Sequence, residues 1–110
     1  MKKLFFSGLL AILSLLFGLG QSAQAVNLVN GAKIFNANCS ACHIGGSNVI
    51  IASKTLKKEA LEKHQINSLE AIKTQVTKGR NAMPAFSGRL NEVQIEDVAA
   101  FVLEKAQRGW

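Results

Sequence analysis

Cys39-Ser40-Ala41-Cys42-His43 is the stretch on which the reading of this chain turns. Two cysteines separated by two residues and followed at once by histidine form the attachment signature of a c-type haem. The spacing has a physical reason. Residues 39 and 42 lie one helical turn apart, so both thiols reach the vinyl groups on one edge of a porphyrin. The adjacent imidazole is then delivered to the iron from the face on which the thioethers rise. Three other chemistries compete for these residues. A thioredoxin-like dithiol needs a strand-turn-helix setting, whereas this motif ends an apparent helix and enters a loop containing Gly45-Gly46-Ser47-Asn48. A disulfide between Cys39 and Cys42 closes too small a loop to stabilise much, and it leaves His43 without a role. Zinc has Cys39, Cys42, His43 and His64 to draw on, but adjacent Cys42 and His43 do not follow the paired spacing of a zinc finger.

Outward from the motif the periodicity is helical. Asn27 caps a helix running to about Asn38, with Leu28, Ala32, Phe35 and Cys39 on one face. Ile44 to Thr55 reads as a loop, and Lys57 to Lys63 as a short charged helix. Asn67 precedes Glu70 by three, a capping-box arrangement for a helix through Lys78 that Gly79 stops. Asn81 to Arg89 is irregular around Pro84. Asn91 caps a helix to about Gln107, in which Ile95, Val98, Ala99, Val102, Leu103 and Ala106 form the apolar stripe, and Glu92, Glu96, Asp97 and Lys105 mark other faces. Val49-Ile50-Ile51 is the only β-branched apolar run, too short for a sheet. The fold class is all-α, about four helices wrapped around one covalently bound haem.

The iron's sixth ligand decides what such a haem does. An open position permits oxygen or peroxide chemistry, while a second strong protein ligand leaves electron exchange alone. Met83, in Asn81-Ala82-Met83-Pro84-Ala85-Phe86, lies in a non-helical segment long enough after His43 to wrap round to the opposite face. A thioether there raises the potential. Two alternatives stay open: Met83 as core filler, and His64 as the ligand, although Glu59 to Gln65 is polar and reads as solvated.

The 110 residues carry 13 Lys plus Arg against 7 Asp plus Glu. Lys2 and Lys3, the apolar run Leu4 to Leu19 and Ala23-Gln24-Ala25 form the three parts of a secretory signal. As a membrane anchor the run is short of the roughly 20 residues needed to span hydrocarbon. Removal of residues 1–25 leaves residues 26–110 as a single domain with a formal charge of +4, not embedded in a membrane. Its basic residues are scattered, which argues against a nucleic-acid arm. A chain of this size buries only about 60 to 65 per cent of its unfolded surface, and its aromatics are Phe35, Phe86, Phe101 and Trp110. A prosthetic group is the natural supplement to such a core.

The mature chain resembles the cytochrome c6 family. The resemblance rests on Asn30 to Phe35, the Cys39 to His43 motif, Lys54-Thr55-Leu56, Gln75 to Gly79, Asn81 to Phe86, Gly88-Arg89-Leu90 and Ile95 to Leu103. It implies a class I cytochrome c fold with one haem c, held through Cys39 and Cys42. It implies one-electron transfer from the cytochrome b6f complex to photosystem I in the thylakoid lumen. It further implies that His43 and Met83 are the axial iron ligands, that Gln75 is the family's glutamine near the haem, and that Arg89 is its partner-facing arginine beside the exposed edge. Family members often carry proline in the loop after the motif. Here the only proline is Pro84, and the sequence leaves open which backbone carbonyl orients His43. Tyr is absent where the family often has it, at Phe101 and near His64. A respiratory cytochrome of the same fold, donating to a terminal oxidase in a bacterial periplasm, differs in partner and not in chemistry. A small haem peroxidase is the enzymatic alternative, but no His or carboxylate neighbours Met83 to act as distal acid or base. A haem-based sensor lacks a second domain to receive its signal.

Overall fold

Asn27 opens the first helix, α1 (Leu28–Asn38), its side-chain oxygen accepting from the Asn30 N–H at 3.0 Å. The computed structural model describes residues 25–110. The signal segment therefore lies outside the described residues except for Ala25. Beyond α1, Cys39 breaks the helical path (φ −117°, ψ −31°), and the motif continues as a one-turn helix, α2 (Ser40–His43). A 3₁₀ turn, Ile44–Gly46, follows, then α3 (Lys58–Lys63), α4 (Leu69–Lys78) and α5 (Glu92–Arg108). The α-helices among the described residues thus exceed the expected four by one. The addition is the turn that carries the motif itself, separated from α1 by the kink at Cys39. No strand forms among the described residues, only an isolated antiparallel bridge between Arg80 and Met83. Nor is any helix among them long and apolar enough to cross a membrane.

The crossing of α1 and α5 sets the frame. A Cβ at Gly31 would lie 2.2 Å from the Asp97 carbonyl oxygen and 2.8 Å from the Phe101 Cβ. Only a residue without a side chain lets the two backbones approach this closely. The crossing also rotates α1 from the expected face: Gly31, Ile34 and Phe35 are buried, while Leu28 is 37% exposed. In α5 the expected stripe holds, with Ile95, Val98, Ala99, Val102 and Ala106 buried and Leu103 packed at their edge. Leu61, Ile72, Val76 and Phe86 complete the core from the other elements.

Two polar assignments change. Asp97, expected on an outer face, is 3% exposed, because its carboxylate accepts from the Asn27 backbone N–H at 2.9 Å and from Asn30 Nδ2 at 3.0 Å. It thereby satisfies donors at the start of α1, where the helix has none of its own acceptors to offer. The cap of α4 is Ser68, whose hydroxyl accepts from the Ala71 N–H at 3.2 Å, and not Asn67. Glu70 then stands at the second helical position, one short of the capping-box geometry. Asn67 instead accepts from Gln107 Nε2 at 3.1 Å. The reciprocal capping box occurs on α5, between Asn91 and Gln94.

Candidate functional site

The kink at Cys39 puts both thiols on the tight turn of α2, half-buried and not joined to each other. Burial pushes the Cys39 thiol up to about 11, with the neighbouring Cys42 adding to the rise. Cys39 therefore stays protonated at neutral pH. His43 is half-buried, and its Nδ1 lies 2.9 Å from the Ser47 carbonyl oxygen. A carbonyl only accepts, so Nδ1 carries the proton and Nε2 is left with its lone pair for a ligand. Ser47 is thus the orienting carbonyl that the missing proline left open.

The loop that carries Ser47 is held by its own polar groups. The Ser47 N–H donates to Ile44 O at 3.0 Å, the Val49 N–H to Cys42 O at 3.0 Å, and the Leu56 N–H to Gly46 O at 2.8 Å. Asn48 accepts from the Ile50 and Ile51 N–H groups at 2.9 and 2.8 Å and donates to Lys54 O at 2.9 Å. With its backbone satisfied in this way, the loop leaves Ile44, Val49 and Ile50 apolar and exposed beside the motif.

Met83 is positioned from α4. Gly79 ends that helix with φ +65°, and a Cβ there would lie 2.5 Å from Met83 O, so the chain turns back against its own helix end. Arg80 and Met83 exchange both backbone hydrogen bonds, at 3.0 and 2.9 Å, around Asn81 at φ +53°. The Phe86 N–H then donates to Val76 O at 3.0 Å and its ring is buried, which anchors the far end of the loop. Gln75, on α4, directs Nε2 at the Met83 sulfur from 3.6 Å. Arg89 is exposed, with its guanidinium carbon 5.6 Å from the centre of the Phe86 ring. His64 is the exposed C-cap of α3. Among the described residues no three His, Cys, Asp or Glu side chains converge on a space for a metal ion, so the zinc set of Cys39, Cys42, His43 and His64 is not assembled.

Cys39 and Met83 border the same buried core. The donor set at the site is two thiols, one imidazole nitrogen with its other nitrogen already engaged, and one half-buried thioether. That set fits a covalently attached haem. Two contributors escaped the sequence reading, the Ser47 carbonyl and Trp110, whose indole packs on Gly46. A backbone acceptor has no sequence signal. Trp110 had a faint one, as the only tryptophan of a chain with a Gly45-Gly46 pair in its motif loop.

The family model described as "Cytochrome C oxidase, cbb3-type, subunit III" matches residues 26–102. The chain is 56% identical over 110 residues to cytochrome c6 of Thermosynechococcus vestitus, an alignment covering 100% of this chain and 98% of that one. It is 57% identical over 110 residues to cytochrome c6 of a Nostoc species, covering 100% and 99%. Among solved structures it is similar to cytochrome c6 from the diatom Phaeodactylum tricornutum, with TM-score 0.75 and 52% identity over 76% of this chain and 99% of that one.

Proposed function

Because the chain belongs to the cytochrome c6 family, we propose that it takes single electrons from the cytochrome b6f complex and delivers them to photosystem I in the thylakoid lumen. The protein is a c-type cytochrome that carries electrons and holds one covalently attached haem. In the proposed site Cys39 and Cys42 would hold the haem through thioethers, and His43 Nε2 and Met83 Sδ would ligate its iron. The haem, when bound, supplies a reversible one-electron change at its iron.

The protein's share of the work is positioning. The observation that carries the reading is the His43 Nδ1 to Ser47 O hydrogen bond of 2.9 Å, which fixes the ring tautomer that a ligand needs. Met83 is offered from a loop braced at Gly79 and Phe86, and the Gln75 amide holds its sulfur in place. With both His43 and Met83 as ligands, the protein would leave oxygen and peroxide no open position on the iron, the arrangement of a carrier and not of a peroxidase. Residues 1–25 direct export and are removed after Ala25, leaving residues 26–110 as the working domain. Intact-mass spectrometry of the exported protein checks the cleavage and the haem together, since both change the mass by fixed amounts.

The ligation is tested by Met83→Ala and His64→Ala, compared by absorption spectroscopy and potentiometry. Axial-ligand identity tunes haem potentials over a range of about 0.8 V. Met83→Ala is expected to lower the potential far more than any surface substitution and to abolish the sulfur-to-iron charge-transfer band of the oxidised protein. His64→Ala is expected to leave both unchanged. A band that survives in Met83→Ala, or that disappears in His64→Ala, overturns the assignment. The description of the matching family model favours one second reading, donation to a terminal oxidase. It uses the same site, and the ratio of oxidation rates by photosystem I and by oxidase separates the two.

A further inference from the structure

Trp110, beyond the end of α5, is fastened to the loop that holds His43. Its indole N–H donates to Leu56 O at 3.0 Å, and the Leu56 N–H donates in turn to Gly46 O at 2.8 Å. Gly46 is buried at φ +77°, and a Cβ on it would lie 2.3 Å from Cγ and 2.4 Å from Cδ2 of the indole. The ring therefore rests directly on the Gly46 backbone. The next residue is Ser47, whose carbonyl accepts from His43 Nδ1. On its other side the indole packs on Phe35, with centroids 5.2 Å apart, and on Phe101 at 6.1 Å, edge to face. Lys105 Nζ stands 5.8 Å over the ring. Trp110 thus ties the α1–α5 crossing to a segment, residues 47–57, that has no helix or strand of its own.

We propose that Trp110 is a positioning residue for the His43 imidazole: by clamping Gly46 and Leu56 it fixes the Ser47 carbonyl, and with it the hydrogen bond at Nδ1. The inference rests on the reading of His43 as an axial ligand. A ligating imidazole becomes a better donor when its second nitrogen gives its proton to a fixed acceptor. A stronger donor favours the oxidised iron. Loosening the clamp weakens the Nδ1–H···O bond, and the reduction potential rises. An aromatic plug of the core with no such role affects stability alone.

Two variants of the haem-loaded protein separate these outcomes. Trp110→Phe keeps a ring but loses the N–H to Leu56, and Trp110→Leu loses both. In the reduced, diamagnetic protein the readouts are the potential and the exchange rate of the His43 Nδ1–H, measured against the Val98 amide. Val98 is buried in the middle of α5 and reports global opening. Trp110→Leu is expected to speed His43 exchange by about fivefold or more beyond any change at Val98, the ratio that loss of one ordinary hydrogen bond produces. Its potential is expected to shift upward, and Trp110→Phe to shift in the same direction by less. If His43 exchange and potential match the native protein in both variants while only unfolding becomes easier, Trp110 is a plug and the proposal fails. Should Trp110→Leu not fold, the Phe variant decides by the same readouts. A native spectrum without ring-current-shifted His43 protons would sink the ligand assignment instead, and the exchange ratio would still judge the clamp.

Discussion

Gln75 Nε2 points at the Met83 sulfur from 3.6 Å, a donor aimed at the atom proposed to bind iron. A hydrogen bond of this kind draws electron density from the thioether and so disfavours the oxidised iron. Gln75→Leu keeps the volume but removes the donor. The potential is expected to fall, by less than in Met83→Ala, with the charge-transfer band retained. Equal potentials for Gln75→Leu and native protein in a redox titration would leave Gln75 as a packing residue. Cys39, Cys42, His43 and Met83, the residues proposed to hold the haem, stand out in the sequence because covalent attachment and ligation demand particular side chains at particular spacings. The acceptor that aims His43 was not legible. Any residue in the loop offers a carbonyl, and only the fold selects that of Ser47.

The seam between α1 and α5 shows the same division for whole elements. The stripe of α5 and its Asn91 cap followed from periodicity and capping chemistry, which act within one helix. The buried face of α1 did not, because Gly31 contributes nothing to an apolar pattern yet admits α5 at backbone contact. The burial of Asp97 is hidden from periodicity for a related reason: its partners, Asn27 and Asn30, stand 70 and 67 positions away. Asp97→Ala removes two hydrogen bonds to a charged acceptor and is expected to cost about 2 to 3 kcal/mol. Gly31→Ala forces the helices apart, and overpacking of this kind costs about 1 to 3 kcal/mol or more. Urea unfolding of the two variants measures both, with the visible haem spectrum unchanged in the folded state. A loss of under about 0.5 kcal/mol, the range of ordinary surface changes, would show that the seam tolerates either substitution.

For the molecule as a whole the question is how a small basic protein meets a partner briefly and in the right orientation. Among the described residues three cations are engaged in ion pairs, Lys58 with Glu62, Lys73 with Glu70 and Arg108 with Glu104, each within one turn of helix. Arg89 makes no ion pair among the described residues and is braced by Phe86, which leaves its planar fork free for a carboxylate on another protein. Steering by such a charge is screened beyond about 10 Å at 0.1 M salt. Arg89→Glu is therefore expected to slow reduction of photosystem I several-fold at low ionic strength and to weaken or invert the salt dependence. Its potential is expected to stay native. Flash-induced kinetics across a salt series test this, and superimposable traces for the two proteins would return Arg89 to the solvated surface.

The Asn27 cap begins two positions after the proposed cut at Ala25, and this makes the protein unequally tolerant of errors in trimming. A start at Ala25, one residue early, adds only an exposed residue ahead of the cap. A start at Leu28 instead deletes both the cap of α1 and the backbone donor to Asp97, leaving a buried carboxylate with Asn30 alone. Preparations with ragged N-termini are accordingly expected to melt in two steps. The lower step is assigned by mass spectrometry to the over-trimmed chains, while species beginning at Ala25 or Val26 melt together at the higher temperature.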